Sequence, residues 1–140
     1  LADPVAEVVA DKYCPIIDSL PIHNLNLSKA NEYYSLGNIK FRKRDFSGAV
    51  DYYGKSIDIA PASDTYFNRA NAKDELGDYQ GALSDYQKAI ELNPTGSDAY
   101  YNRAILKEAI GDMVGACNDF KMSFSMGDID AGNLAKQACD

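Results

Sequence analysis

Carboxylates are the side chains of this sequence whose type could support chemistry, because paired carboxylates perform general acid–base catalysis or bind divalent metal ions. The carboxylates that helical spacing would bring to one surface are Asp64, Asp74, Glu75, Asp98 and Glu108. No nucleophile–base pair, phosphate-binding loop or metal-ligand motif accompanies them. Carboxylates on helix surfaces usually serve solvation, so the sequence predicts neither an enzyme nor a metal or cofactor site.

Other reactive side chains are sparse. The chain has one histidine, His23, and three cysteines, Cys14, Cys117 and Cys139, without a CxxC pair. This pattern argues against a zinc site or a redox dithiol and favours buried or idle thiols. The odd count gives no disulfide framework but leaves room for a single bridge.

The overall charge restricts the class of partner. Lys and Arg number 14 against 21 Asp and Glu, which gives a formal net charge of -7 over 140 residues. Nucleic acid is therefore not expected as a partner, since phosphate binding depends on clustered cations. One basic cluster is either a solvated helix face or an anchor for an acidic partner. It consists of Lys40, Arg42, Lys43 and Arg44.

The sequence contains no membrane-spanning segment, because no apolar run approaches the roughly 20 residues that a span needs. It opens with Leu1 and not with Met, which is compatible with a removed targeting segment. The compartment is therefore left open, with the cytoplasm as the default expectation for a soluble chain.

The sequence repeats itself with a period of 33 to 34 residues. The copies are residues 31–61 (NEYYSLGNIKFRKRDFSGAVDYYGKSIDIAP), residues 64–94 (DTYFNRANAKDELGDYQGALSDYQKAIELNP) and residues 98–128 (DAYYNRAILKEAIGDMVGACNDFKMSFSMGD). Each copy has an aromatic residue, a small residue one helical turn later, an aspartate, and an alanine four residues before a second aromatic. In copy order these are Tyr33, Tyr66, Tyr100; Gly37, Ala70, Ala104; Asp45, Asp78, Asp112; Ala49, Ala82, Ala116; and Tyr53, Tyr86, Phe120.

Apolar and small residues recur at three- and four-residue spacing in both halves of each copy, which predicts two helices per repeat. The expected helices lie near 29–43, 46–59, 64–76, 79–92, 98–110 and 113–126. Each repeated aspartate is expected to cap the second helix. Gly77 and Gly111 are expected to end the first helix in a left-handed turn, with Arg44 strained in the same place. Pro61 and Pro94 stop the second helices.

These residues resemble the tetratricopeptide repeat, and the resemblance covers residues 30–128. It implies an all-α, right-handed superhelical solenoid of three helix–turn–helix repeats, whose concave groove binds a peptide or partner protein. Arg69 and Arg103 depart from the family pattern, which usually has Leu there, and Asp128 replaces the closing proline. A glycine also stands where Glu is commoner, indicating tight backbone approach or descent from one unit. These glycines are Gly48, Gly81 and Gly115.

The repeats are assigned to residues 30–62, 63–96 and 97–128, between an N-terminal helical and extended segment (1–28) and a C-terminal capping helix (129–140). Pro15 and Pro21 are expected to break the N-terminal segment into extended or irregular chain. That segment either caps the solenoid or occupies a groove, its own or a neighbouring molecule's. The apolar residues of the final helix expected to face the stack are Ile129, Leu134, Ala135 and Ala138.

The first helix of each pair is expected to line the concave side. The predicted binding residues are Tyr34, Asn38, Phe41, Arg42, Phe67, Asn68, Asn71, Asp74, Tyr101, Asn102 and Ile105. Tyr34, Phe67 and Tyr101 are either aromatic anchors, a type enriched at binding hot spots, or packing residues between repeats. The asparagines can donate to and accept from a peptide backbone, which favours sequence-tolerant recognition of an extended chain.

One subclass of the family grips the C-terminal carboxylate of heat-shock chaperones with two Lys, one Arg and two Asn. Asn38 and Asn68 match the two asparagines. Tyr34, Asp98 and Asn102 occupy the places of the basic residues. We therefore expect no carboxylate clamp in this chain.

The sequence favours a protein–protein interaction scaffold, acting as a monomer or weak homo-oligomer. The expected ligand has basic residues toward the third repeat and acidic residues toward Arg42. One alternative is a structural module that self-associates through its N-terminal segment. The other is a divalent-metal or catalytic site at the concave carboxylates.

Overall fold

The computed structural model describes residues 21–140, with side chains from residue 24 onward. This part is helical throughout, with no strand: α1 Pro21–Arg42, α2 Phe46–Ile59, α3 Ser63–Glu75, α4 Tyr79–Leu92, α5 Ser97–Ala109, α6 Met113–Ser125 and α7 Ile129–Ala138. Each helix packs mainly on its neighbour in sequence, with small contacts between α1 and α3 and between α3 and α5. This is the packing of an α-solenoid. No helix between residues 21 and 140 is long and apolar enough to cross a membrane.

The core of each repeat is a buried aromatic ring beside small residues. Tyr53, Tyr86 and Phe120 are at most 1% exposed, and the alanines one turn before them are fully buried. In repeat 1 a Cβ added to Gly37 would lie 2.6 Å from Cδ1 of Tyr53. The small column predicted from the sequence therefore makes room for the rings that fill each repeat.

The first helix of every repeat ends in a left-handed turn, as predicted. Gly77 and Gly111 have φ of 79° and 89°, and Arg44 has φ of 61° in the equivalent place. A residue with a Cβ pays about 1–2 kcal/mol for this conformation. The Arg44 guanidinium lies 5.4 Å from the Phe46 ring centroid, a cation–π contact that offsets part of the cost.

Side-chain caps begin the second helices. The carboxylates of Asp45, Asp78 and Asp112 accept a hydrogen bond from the backbone N–H three residues later, at 2.9, 3.0 and 2.9 Å. The donors are the glycines in register, Gly48, Gly81 and Gly115. A Cβ at any of them would collide with the capping carboxylate. The repeated glycine thus accommodates the cap, although an interior glycine costs about 1 kcal/mol relative to alanine.

The start of α1 differs from the sequence prediction. The helix begins at Pro21, whereas an extended or irregular segment was expected up to residue 28 and a helix only from about residue 29. That prediction is wrong for residues 21–28, because proline suits the first helical position, where its missing N–H has no partner to lose. The predictions for residues 1–20, including Cys14 and Pro15, lie outside the described residues.

The capping helix forms as predicted, and Asp128 accepts hydrogen bonds from the N–H groups of its first turn. Ala135 and Ala138 are buried against α6, and Leu134 is partly buried beside them. Ile129 was expected to face the stack but is 78% exposed. The buried stripe of α7 consists of Ala131, Ala135 and Ala138, and Ile129 stands two positions before it, on the opposite face of the helix.

A disulfide ties the cap to repeat 3. Cys117 of α6 and Cys139, just after α7, are bonded with a Cα–Cα distance of 5.1 Å and a sequence separation of 22. The interpretation of these two cysteines as idle thiols is wrong. Spacing alone gave no reason to pair them, because their proximity depends on how α7 folds back.

Candidate binding groove

The first helices of the three repeats line two adjacent clefts. One, of about 250 Å³, is lined by Asn38, Phe41, Arg42, Tyr53, Asn68 and Asn71. The second, of about 260 Å³, is lined by Phe41, Asn71, Asp74, Glu75, Tyr86, Asn102 and Ile105. The two clefts share Phe41 and Asn71 and so form one groove. Eight of the eleven predicted binding residues line it; Tyr34 lines a smaller neighbouring cleft, and Phe67 and Tyr101 line none of these three.

A ladder of four asparagines, Asn38, Asn68, Asn71 and Asn102, crosses from repeat to repeat. Asn38 Oδ1 accepts from Tyr53 OH at 2.7 Å and from Asn68 Nδ2 at 3.1 Å. Asn71 Oδ1 accepts in the same way from Tyr86 OH and, at 3.0 Å, from Asn102 Nδ2. Among the described residues, the Nδ2 groups of Asn38 and Asn71 donate to no protein acceptor. In each of these two pairs the accepting asparagine, Asn38 or Asn71, is therefore held in place while its own Nδ2 donors stay free at the groove.

Repeat 3 ends the ladder by replacing both partners together. Ile105 stands in the Asn38 and Asn71 column, and Phe120 stands in the column of the hydroxyl donors Tyr53 and Tyr86. An asparagine facing a phenylalanine would lose one donor, so the paired change avoids an unsatisfied polar group. Ile105 is 40% exposed and gives this end of the groove an apolar surface.

The aromatic column of Tyr34, Phe67 and Tyr101 packs within the repeats. Their ring centroids lie 6.1, 6.0 and 5.9 Å from those of the buried aromatics of the same repeats. All three are half-buried. The Tyr34 hydroxyl also accepts from Asn68 Nδ2 at 3.0 Å, which joins it to the ladder. Packing is therefore a part of what these residues do, and their role in binding remains a prediction.

Two buried carboxylates outside the groove engage the cations of α3 and α5. Asp85 accepts from Arg69 through both oxygens at 2.8 Å and pairs with Lys73 at 2.9 Å. Asp119 makes the same contacts with Arg103 and Lys107 in repeat 3, at 2.7–2.8 Å. The side chains of both aspartates are at most 5% exposed. A carboxylate buried to this extent needs compensating positive charge, which two cations supply to each aspartate.

Sequence reasoning noticed the two arginines as departures from the family pattern but missed their partners. The signal in the sequence that would have identified these partners is an aspartate sixteen residues after each arginine. Arg69 and Arg103 are each followed sixteen residues later by an aspartate, Asp85 and Asp119, whereas Leu36 of repeat 1 is followed at that distance by Tyr52.

The two clefts differ in charge. Burial raises the pKa of Asp74 above its usual value, and the neighbouring Glu75 carboxylate raises it further. Burial also raises the pKa of Tyr86, to which the Asp74 charge contributes. In the other cleft burial raises the pKa of Tyr53 to about 12, with Arg42 acting in the opposite direction.

Within residues 21–140 no group of three metal-ligating side chains is present.

The repeated helix pairs, packed only on their neighbours around a groove, define a helical-repeat solenoid. Three stretches match models of the tetratricopeptide repeat: residues 33–63, 63–95 and 85–118. The chain belongs to the tetratricopeptide repeat family. Comparison with curated proteins gives no match.

Solved tetratricopeptide domains share the fold. The Arabidopsis OM64 domain is 24% identical with a TM-score of 0.76, covering 81% of this chain and 96% of that one. The first such domain of Spaghetti (RPAP3), bound to the HSP90 peptide SRMEEVD, is 26% identical with a TM-score of 0.75, covering 80% and 91%. The TPR2B domain of yeast Sti1, in a complex with an Hsp70 peptide, is 29% identical with a TM-score of 0.70, covering 79% and 90%.

Proposed function

We propose that this protein is an interaction module that binds an extended peptide segment of a partner protein in the groove of α1, α3 and α5, and that it does not catalyse a reaction. The observation that carries the proposal is the asparagine ladder. Asn38 and Asn71 are each held through Oδ1, which orients their amide donors for the carbonyls of an extended chain. A chain without regular structure needs such partners for its own backbone groups.

Similar domains support a peptide as the ligand. RPAP3 and Sti1 domains carry bound chaperone peptides in the structures that resemble this chain. This groove favours a different peptide class, because Tyr34, Asp98 and Asn102 stand where a carboxylate clamp has basic residues. Asn68, moreover, donates to Tyr34 OH and to Asn38 within the protein. We propose that a free C-terminal carboxylate is not the feature recognised.

The test is nuclear magnetic resonance of the intact ¹⁵N-labelled chain, titrated with peptides selected from an array of extended sequences with both ends blocked. Side-chain amide resonances of the ladder should shift and saturate together with backbone resonances of α1, α3 and α5. An Ile105→Gln variant alters the exposed apolar end of the groove and should weaken binding. Val114→Gln is the matched control, since Val114 is 75% exposed on α6 outside the groove.

Two outcomes would contradict the proposal. One is that no peptide shifts the ladder resonances. The other is that the peptides that bind shift only the region around α6 and α7, where Met113, Val114 and Ala138 line a separate cleft.

A further inference from the structure

Asp74 and Glu75 lie where the helix itself does not favour them. They are the last two residues of α3, and the carbonyl end of a helix repels anions. The equivalent residues of repeat 1 are Phe41 and Arg42, of which the arginine suits a helix end. Residues that go against this helix-end preference for cations, without gaining a stabilising contact in return, are typical of functional sites.

The cations nearby in sequence do not neutralise this pair. Lys73 and Arg69 of the same helix are both bound to Asp85, and Lys107 and Arg103 of α5 are bound to Asp119. No ion pair joins Asp74 or Glu75 to any residue between 24 and 140. The buried aspartates thus draw the basic side chains of α3 and α5 away from the groove and leave its carboxylates uncompensated.

The second cleft has the remaining features of a site for a basic side chain. Asp74 is half-buried and Glu75 exposed, so one carboxylate lies at the wall and the other at the rim. The half-buried ring of Phe41 lines the same cleft and suits the methylene stem or the cationic head of lysine or arginine. Asn102 Oδ1, which accepts from no residue in the described range, adds a neutral acceptor.

We propose that this cleft binds a lysine or arginine side chain of the partner peptide, and that the adjoining cleft places an acidic residue of the same peptide beside Arg42. The inference rests on the proposed function and specifies its ligand. The groove therefore binds one order of charges along the peptide in preference to the reverse, because the two clefts meet at Phe41 and Asn71 and carry opposite charge.

Two occupants from the same chain fit this charge pattern less well. Residues 1–20 contain four acidic side chains against one lysine, so this segment offers little to an acidic cleft. A second copy of the chain carries a net charge of -7 and would be repelled at long range. A foreign segment with a basic residue is the complementary ligand.

The experiment compares four fluorescein-labelled peptides with acetylated and amidated ends by fluorescence anisotropy against the intact chain. They share one tyrosine-containing frame and carry glutamate followed by lysine, the same pair in reverse order, glutamate followed by glutamine, or glutamine at both positions. One of the two charge orders should bind at least about ten-fold more tightly than the uncharged peptide, and raising the salt concentration should reduce this preference.

Variants locate the effect. Asp74→Asn/Glu75→Gln should lower the affinity for the preferred peptide about ten-fold and leave the uncharged peptide unaffected. The control Asp51→Asn/Asp130→Asn removes two exposed carboxylates outside the groove and changes the net charge equally, so it should have little effect. Glu75→Lys should recover affinity for a fifth peptide, identical to the preferred one except that its lysine is replaced by glutamate.

The failures are distinguishable. If peptides shift the ladder resonances but neither charge order is preferred, or both double variants weaken binding equally, the inference falls and the proposed function stands. If no peptide binds in the groove at all, both fall. Tighter peptide binding after deletion of residues 1–20 than by the intact chain would instead identify that segment as the occupant and overturn the inference.

Discussion

Repeat 1 and repeat 2 have different side chains at equivalent positions between their two helices. In repeat 1 these side chains are aromatic. The rings of Tyr33 and Tyr52 lie 6.2 Å apart, with Lys55 Nζ 5.6 and 5.1 Å from their centroids. Leu36 stands one turn after Tyr33. No buried carboxylate is present among these residues, and Lys40 pairs only with the exposed Asp45.

In repeat 2 the side chains at these positions are ionic. Arg69 replaces the leucine and Asp85 replaces the second tyrosine, while Arg69 keeps contact with the Tyr66 ring at 5.4 Å. Repeat 3 follows repeat 2 in every one of these contacts. The fold thus tolerates either solution, and the difference is felt on the groove side. In repeats 2 and 3 the cations of the first helix are bound to a buried aspartate outside the groove. The acidic residues that line the groove are therefore left without an ion pair.

The largest expected effect of breaking this pattern is in Asp85→Ala. Removing the shared acceptor leaves Arg69 and Lys73 uncompensated and should lower the free energy of unfolding by about 3–5 kcal/mol. Urea denaturation of the variant measures it. Asp51→Ala, an exposed carboxylate of α2, is the control and should change little. A loss for Asp85→Ala no greater than that of the control would show that the ion pair is not buried in solution.

Repeat 3 differs from repeat 2 in being closed by the Cys117–Cys139 disulfide, which secures the cap to it. Cys139→Ser should lower the free energy of unfolding by about 2–4 kcal/mol. Without the bond, the segment between the two cysteines, which are 22 positions apart, regains conformational entropy in the unfolded chain. Denaturation with and without reductant measures it. Reductant should reproduce the loss in the unmodified chain and do nothing further to Cys139→Ser; a chain unaffected by reductant would contradict the bond.

Grafting the aromatic solution of repeat 1 onto repeat 2 tests whether the two are interchangeable. The double variant Arg69→Leu/Asp85→Tyr should remain within about 1–2 kcal/mol of the parent, because a buried ion pair can be replaced by packed apolar groups. The same denaturation assay compares it with Asp85→Ala. A double variant as unstable as Asp85→Ala would mean that repeat 2 requires the ions for its packing.

The smallest effect concerns the ladder, where repeat 3 already lacks the tyrosine hydroxyl. Tyr53→Phe should cost about 1 kcal/mol, since Asn38 Oδ1 still accepts from Asn68. Because the folded pKa of Tyr53 is raised to about 12, its phenol stabilises the fold below the unfolded pKa near 10 and this contribution is lost as pH rises through 12. Alkaline denaturation should therefore be less steep in Tyr53→Phe than in the parent; equal steepness would contradict it.

Local signals in the sequence predicted most of the fold. The bounds of α2 and α4 match the prediction at both ends, because a capping aspartate and a following proline act within a few residues of the helix they bound. The start of α1 was missed because Pro21 can either interrupt a segment or begin a helix, and spacing does not choose between them.

The candidate site was predictable as a surface but not as a network. Helical spacing correctly brought Asn38, Asn71 and Ile105 to one groove. The bonds that hold the asparagines join residues fifteen or more positions apart, as in Tyr53 to Asn38, and depend on how helices cross. The same limit concealed the partner of Arg69, because a buried aspartate on the neighbouring helix has no local signature.

The central claim, that the asparagine ladder faces a bound extended peptide, is tested most directly by intermolecular nuclear Overhauser effects in the complex with the preferred blocked peptide. Contacts are expected from peptide backbone protons to the side-chain amide protons of Asn38 and Asn71, and from the lysine methylenes to the ring of Phe41. Contacts confined to α6 and α7, with none to either asparagine, would contradict it.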